Sequence, residues 1–65
     1  MSFLVVYYES ADGSSCVQTD TNADAPNAVD GYEKVYRKVF DGDYVNAADL
    51  VGKVNVNNGV LSIDL

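Results

Sequence analysis

One cysteine, Cys16, and no histidine in a chain of 65 residues constrain this fold more than any other feature. An internal disulfide needs two thiols, and a structural zinc site needs several ligands drawn mostly from Cys and His. Both of the common staples of small domains are therefore excluded. A chain this short also hides only about 60% of the surface that its unfolded form exposes. Its stability has to come from a compact apolar core or from a partner. The material for a core is present: the chain is 48% hydrophobic and 22% charged, with one proline, away from the composition of disordered segments. With no internal repeat, low-complexity tract or linker, residues 1–65 are expected to form one small domain.

The apolar pattern predicts several short elements. Residues 3–8 (Phe3, Leu4, Val5, Val6, Tyr7, Tyr8) form a continuous run rich in Val and Tyr, too short for a typical helix and suited to a strand buried on both faces. Asp12-Gly13 follows it and predicts a two-residue type I′ hairpin, which sets Glu9 opposite Cys16, Tyr8 opposite Val17 and Val6 opposite Thr19. Residues 14–19 become a more polar, outer strand. Residues 19–27 hold Pro26 and read as a long loop. Val29, Tyr32, Val35, Tyr36, Val39 and Phe40 recur at steps of three and four and predict a helix. It starts either near Pro26 or at the capping-box spacing of Asp30 and Glu33, and ends at Gly42. Asn46 and Gly52 bracket a single helical turn. Asn58-Gly59 then predicts a second type I′ hairpin, with Val56 facing Leu61, Val54 facing Ile63, Asn55 facing Ser62 and Lys53 facing Asp64. The expected fold is α+β. It has an antiparallel sheet of about four strands in two hairpins, with one main helix on one face, in the order ββ-α-(short α)-ββ.

Catalytic chemistry finds little support in these residues. Without His, acid–base work falls to Asp, Glu, Tyr or Cys, and Cys16 has no base beside it in the sequence. Asp41 and Asp43 flank Gly42, which is turn chemistry, and no glycine-rich phosphate loop or other cofactor motif occurs. Residues 41–50 (DGDYVNAADL) resemble the latter half of a dockerin calcium loop. Counting back from Asp49 as its twelfth position, however, places Lys38, Phe40 and Gly42 where the first oxygen ligands belong, and a cation site that starts with Lys is electrostatically wrong. Neither a metal nor a cofactor is expected, and the chain is not expected to be an enzyme.

Charge placement is more informative. The net charge is -6, which argues against direct binding of nucleic acid or of an anionic membrane and favours a basic partner. Residues 1–33 hold Glu9, Asp12, Asp20, Asp24, Asp30 and Glu33 with no Lys or Arg, whereas acids and bases balance in residues 34–65. Tyrosines form a second feature. Adjacent Tyr7 and Tyr8 point to opposite faces of a strand, so in a fold with one covered face one of them stands open, and tyrosine is enriched at interfaces. The partner-binding candidates are therefore Glu9, Asp12, Asp20, Asp24, Asp30, Glu33, Tyr7 and Tyr8.

The expected function is that of a small acidic interaction protein whose carboxylates occupy a nucleic-acid-binding surface of a larger protein. Acids two residues apart on a strand repeat at roughly 6.6 Å, near a phosphate spacing. Phage-encoded inhibitors such as DNA mimics and anti-CRISPR proteins share this size and charge, by analogy alone. The alternative is a virion or assembly component that packs against neighbouring subunits, or against copies of itself, by strand edges and tyrosines. The first nine residues lack the basic start of a signal peptide and no apolar run nears the ~20 residues of a membrane span, so a soluble, cytoplasmic protein is expected.

Overall fold

The computed structural model describes residues 1–21 and 32–64. They form β1 (Ser2–Glu9), β2 (Ser15–Asp20), β3 (Lys34–Asp41), α1 (Ala47–Leu50), β4 (Val54–Asn57) and β5 (Val60–Ile63). β1 lies at the centre of an antiparallel sheet of order β2-β1-β3, and β4 and β5 make a separate antiparallel hairpin. No helix among the described residues is long and apolar enough to cross a membrane.

β1 takes the centre because it is apolar on both faces. Phe3 and Val5 belong to one buried cluster together with Leu50 and Leu61, and Tyr7, Val17, Tyr36, Phe40, Val54, Val56 and Ile63 pack around it. Leu4, Val6 and Tyr8 form the other, with Cys16, Tyr32 and Val35 against it. The first cluster is sandwiched between the three-stranded sheet and a second layer made of α1, β4 and β5. A single turn of helix is not stable alone in water; α1 is anchored by Leu50, whose side chain is fully buried, and packs against β2, while β5 packs against β3. The chain crosses from one edge of the sheet to the other through Tyr44, whose ring meets Phe3 edge-on at 6.1 Å and whose hydroxyl lies 2.7 Å from that of Thr19.

The architecture is thus mostly β, and the α+β expectation with a main helix on a sheet is overturned. The segment expected to be helical contains β3, paired residue for residue with β1 from Ser2↔Asp41 to Glu9↔Lys34. Its i,i+4 apolar pairs, Val35 with Val39 and Tyr36 with Phe40, fit a helix, but a step of four is also even and keeps a strand residue on one face. β1 needs a partner on its second side, and aromatic pairing supplies it. Phe3 stacks on Phe40 at 6.1 Å and Tyr7 on Tyr36 at 6.3 Å, each across the strands from its register partner. Strand geometry also explains Lys38, whose stem lies along the apolar face with its ammonium 5.4 Å from the Phe40 ring centre. Val39, expected inside a helix stripe, is exposed. Gly42 does not end a helix: its N–H donates to the Met1 carbonyl at 2.8 Å and continues the β1–β3 ladder. The helix starts considered at Pro26 and Asp30, and most of the long loop, lie outside the described residues.

The first hairpin differs by one residue from the expected register. Tyr8 faces Cys16 and Tyr7 faces Val17, because the loop has three residues and not two. Ser10 N–H donates to Ser14 O at 3.0 Å and Gly13 N–H to Ser10 O at 3.2 Å. Only Gly13 has positive φ, at 89°, so a type I turn closed by a left-handed glycine replaces type I′. The second hairpin is as the sequence implied. Asn58 and Gly59 have φ of 54° and 79°, and Val54↔Ile63, Asn55↔Ser62 and Val56↔Leu61 are paired, with their apolar faces toward the sheet and not toward a helix.

Nothing lies near a side chain added at Gly59, so substitution there tests backbone strain alone. Gly59→Val is expected to lower stability by about 1–2 kcal/mol or more, read as a reduced denaturant midpoint at unchanged m-value. A midpoint equal to that of the unaltered chain would contradict the turn assignment.

Candidate binding surface

The acids expected to act together are dispersed by the fold. Glu9 ends β1, Asp12 lies in the β1–β2 turn and Glu33 immediately precedes β3, so these three share one end of the sheet. Lys34 joins them there as the register partner of Glu9. Asp20 ends β2 opposite Leu4, five residues along β1 from Glu9 and so roughly 17 Å away. Asp41, opposite Ser2, and Asp43 lie near that second end. No described strand carries two acids at i,i+2, so the carboxylate ladder suggested by strand spacing is not built by these residues. Asp24 and Asp30 lie outside the described residues. All the described acids are exposed except Glu9, which is half-buried.

Asp12 is fixed by its own turn. Its Oδ1 accepts from the Ser14 N–H at 2.9 Å, from the Ser14 hydroxyl at 2.7 Å and from the Ser10 hydroxyl. These donors favour the charged form, the Ser10 hydroxyl most, and hold the Asp12 pKa down at about 2 against an ordinary 3.8. The residue therefore presents charge and organises the hairpin at once.

The two tyrosines point to opposite faces, as their adjacency requires, and neither stands open. Tyr7 is half-buried in the stack with Tyr36. Tyr8 is 4% exposed, donates its hydroxyl to Gln18 Oε1 at 2.7 Å and lies against Tyr32, 5.2 Å between ring centres. Burial pushes its phenol above the ordinary 10. The expectation of an open tyrosine assumed one covered face, whereas Phe3, Val5, Leu4, Val6 and Tyr8 are buried across both.

A feature the sequence did not single out lies beside β2. A notch of about 170 Å³ opens between β2 and the end of α1, lined by Tyr7, Ser15, Val17, Leu50, Val51 and Val54. Small-molecule sites run to roughly 300–1,000 Å³, so the notch admits one aliphatic side chain more readily than a metabolite. Cys16 also borders the notch and is half-buried, its thiol directed at the Val17 carbonyl at 3.9 Å. Among the described residues no three His, Cys, Asp or Glu side chains are grouped to hold a metal. The bases concentrate on β3, which bears Lys34, Arg37 and Lys38, while β2 bears none.

No family model matches this chain, and neither a curated protein nor a solved structure matches it at a significant level.

Asp12 carries a pH prediction. Its pKa is lower folded than unfolded, so the stability it contributes is complete above about pH 4 and disappears as pH falls through about 2. Asp12→Ala should melt below the unaltered protein at neutral pH, and the gap should close over that acid range. A gap of constant size from neutral pH to about pH 2 would show that the carboxylate does not hold the turn.

Proposed function

We propose that this chain is a small acidic binding protein without catalytic activity, which occupies a positively charged, nucleic-acid-binding surface of a larger protein. The observation that carries the reading is the distribution of charge. The exposed acids Asp12, Asp20, Glu33, Asp41, Asp43, Asp49 and Asp64 surround the molecule, while three of its four bases share one strand. The acid excess therefore falls on the sheet ends, the β2 side and the second layer. Such a field accelerates encounter with a cationic surface and repels anionic ones. It acts through summed charge and needs no ladder of carboxylates in register with phosphates.

A second reading, an assembly component, is supported by sheet edges: β2 and β3 both lie at the rim of their sheet. Its tyrosine element has lost ground, since Tyr7 and Tyr8 are packed internally.

The test is the triple variant Asp20→Asn, Glu33→Gln, Asp49→Asn, which leaves the Asp12 turn intact. Association with the partner recovered by pull-down should slow about tenfold at low salt and lose most of its salt dependence. Double-stranded DNA should compete for that partner. An unchanged association rate would refute the charge reading and favour the assembly one.

A further inference from the structure

We propose that the outer edge of β2, together with the notch beside it, is a docking site for an extended basic segment of a partner protein, added antiparallel or parallel as a further strand. The inference rests on the proposed function and specifies how the basic partner is held.

Three observations converge on this edge. First, β2 faces no further strand among the described residues on its outer side, and its sequence, Ser-Cys-Val-Gln-Thr-Asp, has none of the Lys or Pro residues that block strand addition. The opposite edge, β3, carries Lys34, Arg37 and Lys38 and is protected in that way. Second, the notch adjoins β2 and not β3. It is floored by Leu50 and Val54 and flanked by Val51, which is 71% exposed. An added strand hydrogen-bonds through its backbone and gains specificity from a pocket that takes alternate side chains. Side chains of one parity fall on the side of Val17 and the notch; those of the other fall on the side of Gln18 and Asp20. Third, the charges around this edge are acidic: Asp12 in the turn before β2, Asp20 at its end, and Asp49 in α1, which packs on β2. An occupant with aliphatic residues at one parity and Lys or Arg at the other matches both sides. Among the described residues a second copy offers the edges of β2, β4 and β5, none of which carries Lys or Arg, and that of β3, whose cations lie on both faces.

The probe is an eight-residue peptide alternating Val and Lys. Three controls accompany it: the same peptide N-methylated at alternate amides, a peptide with Glu in place of each Lys, which should bind at least tenfold more weakly, and the protein variant Val51→Asp. Binding is read by amide hydrogen exchange and NMR shifts on the full chain. The Val-Lys peptide should slow exchange in β2 and shift Val17, Val51 and Val54 while β3 is unaffected. N-methylation should weaken binding at least tenfold. Val51→Asp should weaken it too, although the added negative charge on its own favours a cationic peptide. Equal binding by the N-methylated peptide, or binding without change in β2, overturns strand addition but leaves the charge reading intact. Tight binding that is indifferent to Asp20→Asn, Glu33→Gln, Asp49→Asn overturns the basic occupant and the charge reading together. Slowed β2 exchange that depends on protein concentration without peptide overturns the proposal in favour of a second copy.

Discussion

The fold depends on burying one strand on both of its faces. Phe3, Leu4, Val5, Val6 and Tyr8 are all 7% exposed or less, and each such side chain contributes about 1.5–3 kcal/mol when removed from water. A strand in that position needs a neighbour on each side for its backbone and a layer over its side chains. β2 and β3 supply the neighbours, and the second hairpin with Leu50 supplies a layer over Phe3 and Val5. With a single cysteine no internal disulfide can hold these parts, and the apolar contacts of β1 decide the arrangement. This also explains why aromatic residues pair directly across β1 and β3. Phe3–Phe40 and Tyr7–Tyr36 fix the register from two points on the same face.

Features that are local in the chain were legible in its sequence. The Asn58-Gly59 turn and the facing pairs around it depend on two residues with positive φ and on alternation within a few positions, and both are visible without tertiary knowledge. So was the doubly buried character of residues 3–8, and so was the outer position of β2 from its polarity. What was not legible depended on distant partners. In isolation residues 32–40 satisfy a helical period, and only the need of β1 for a second neighbour makes them a strand. The one-residue error in the first hairpin has a smaller cause. Asp12-Gly13 suits a type I′ turn, but the Asp12 carboxylate finds better partners in Ser10 and Ser14 by making a longer loop. The notch is not legible because Tyr7, Val17 and Val54 come from three separate strands and Val51 from the end of α1, and no spacing in the sequence marks them.

The charge pattern shows how a linear feature changes on folding. Along the chain the net negative charge lies in the first half, which suggests one acidic face. In space β3 returns from the second half to lie beside β1 and brings Lys34 opposite Glu9 and Lys38 opposite Val5. The two ends of the sheet receive the acids, and one edge receives the bases. The net field is still strongly negative, since no rearrangement alters a charge of -6. The proposed steering of a cationic partner needs no contiguous patch, whereas a scheme that requires evenly spaced carboxylates finds none on the described strands.

The unequal treatment of the two sheet edges bears on what this surface is for. Among the described residues the three-stranded sheet has two edges with no further strand beside them, and an open edge invites pairing with any extended chain. At β3 cations stand on both faces, so two such edges repel and a basic chain is refused. β2 has no cation and no proline, and an apolar recess lies beside it. If avoidance of association were the sole pressure, the same protection on β2 would cost one or two surface substitutions of little energetic consequence. On the proposed reading, its absence beside Asp12, Asp20 and Asp49 leaves an edge that excludes acidic strands by charge and accepts basic ones. Selectivity would then come from the field and affinity from the backbone, which is an economical arrangement for a chain too small to build a deep site.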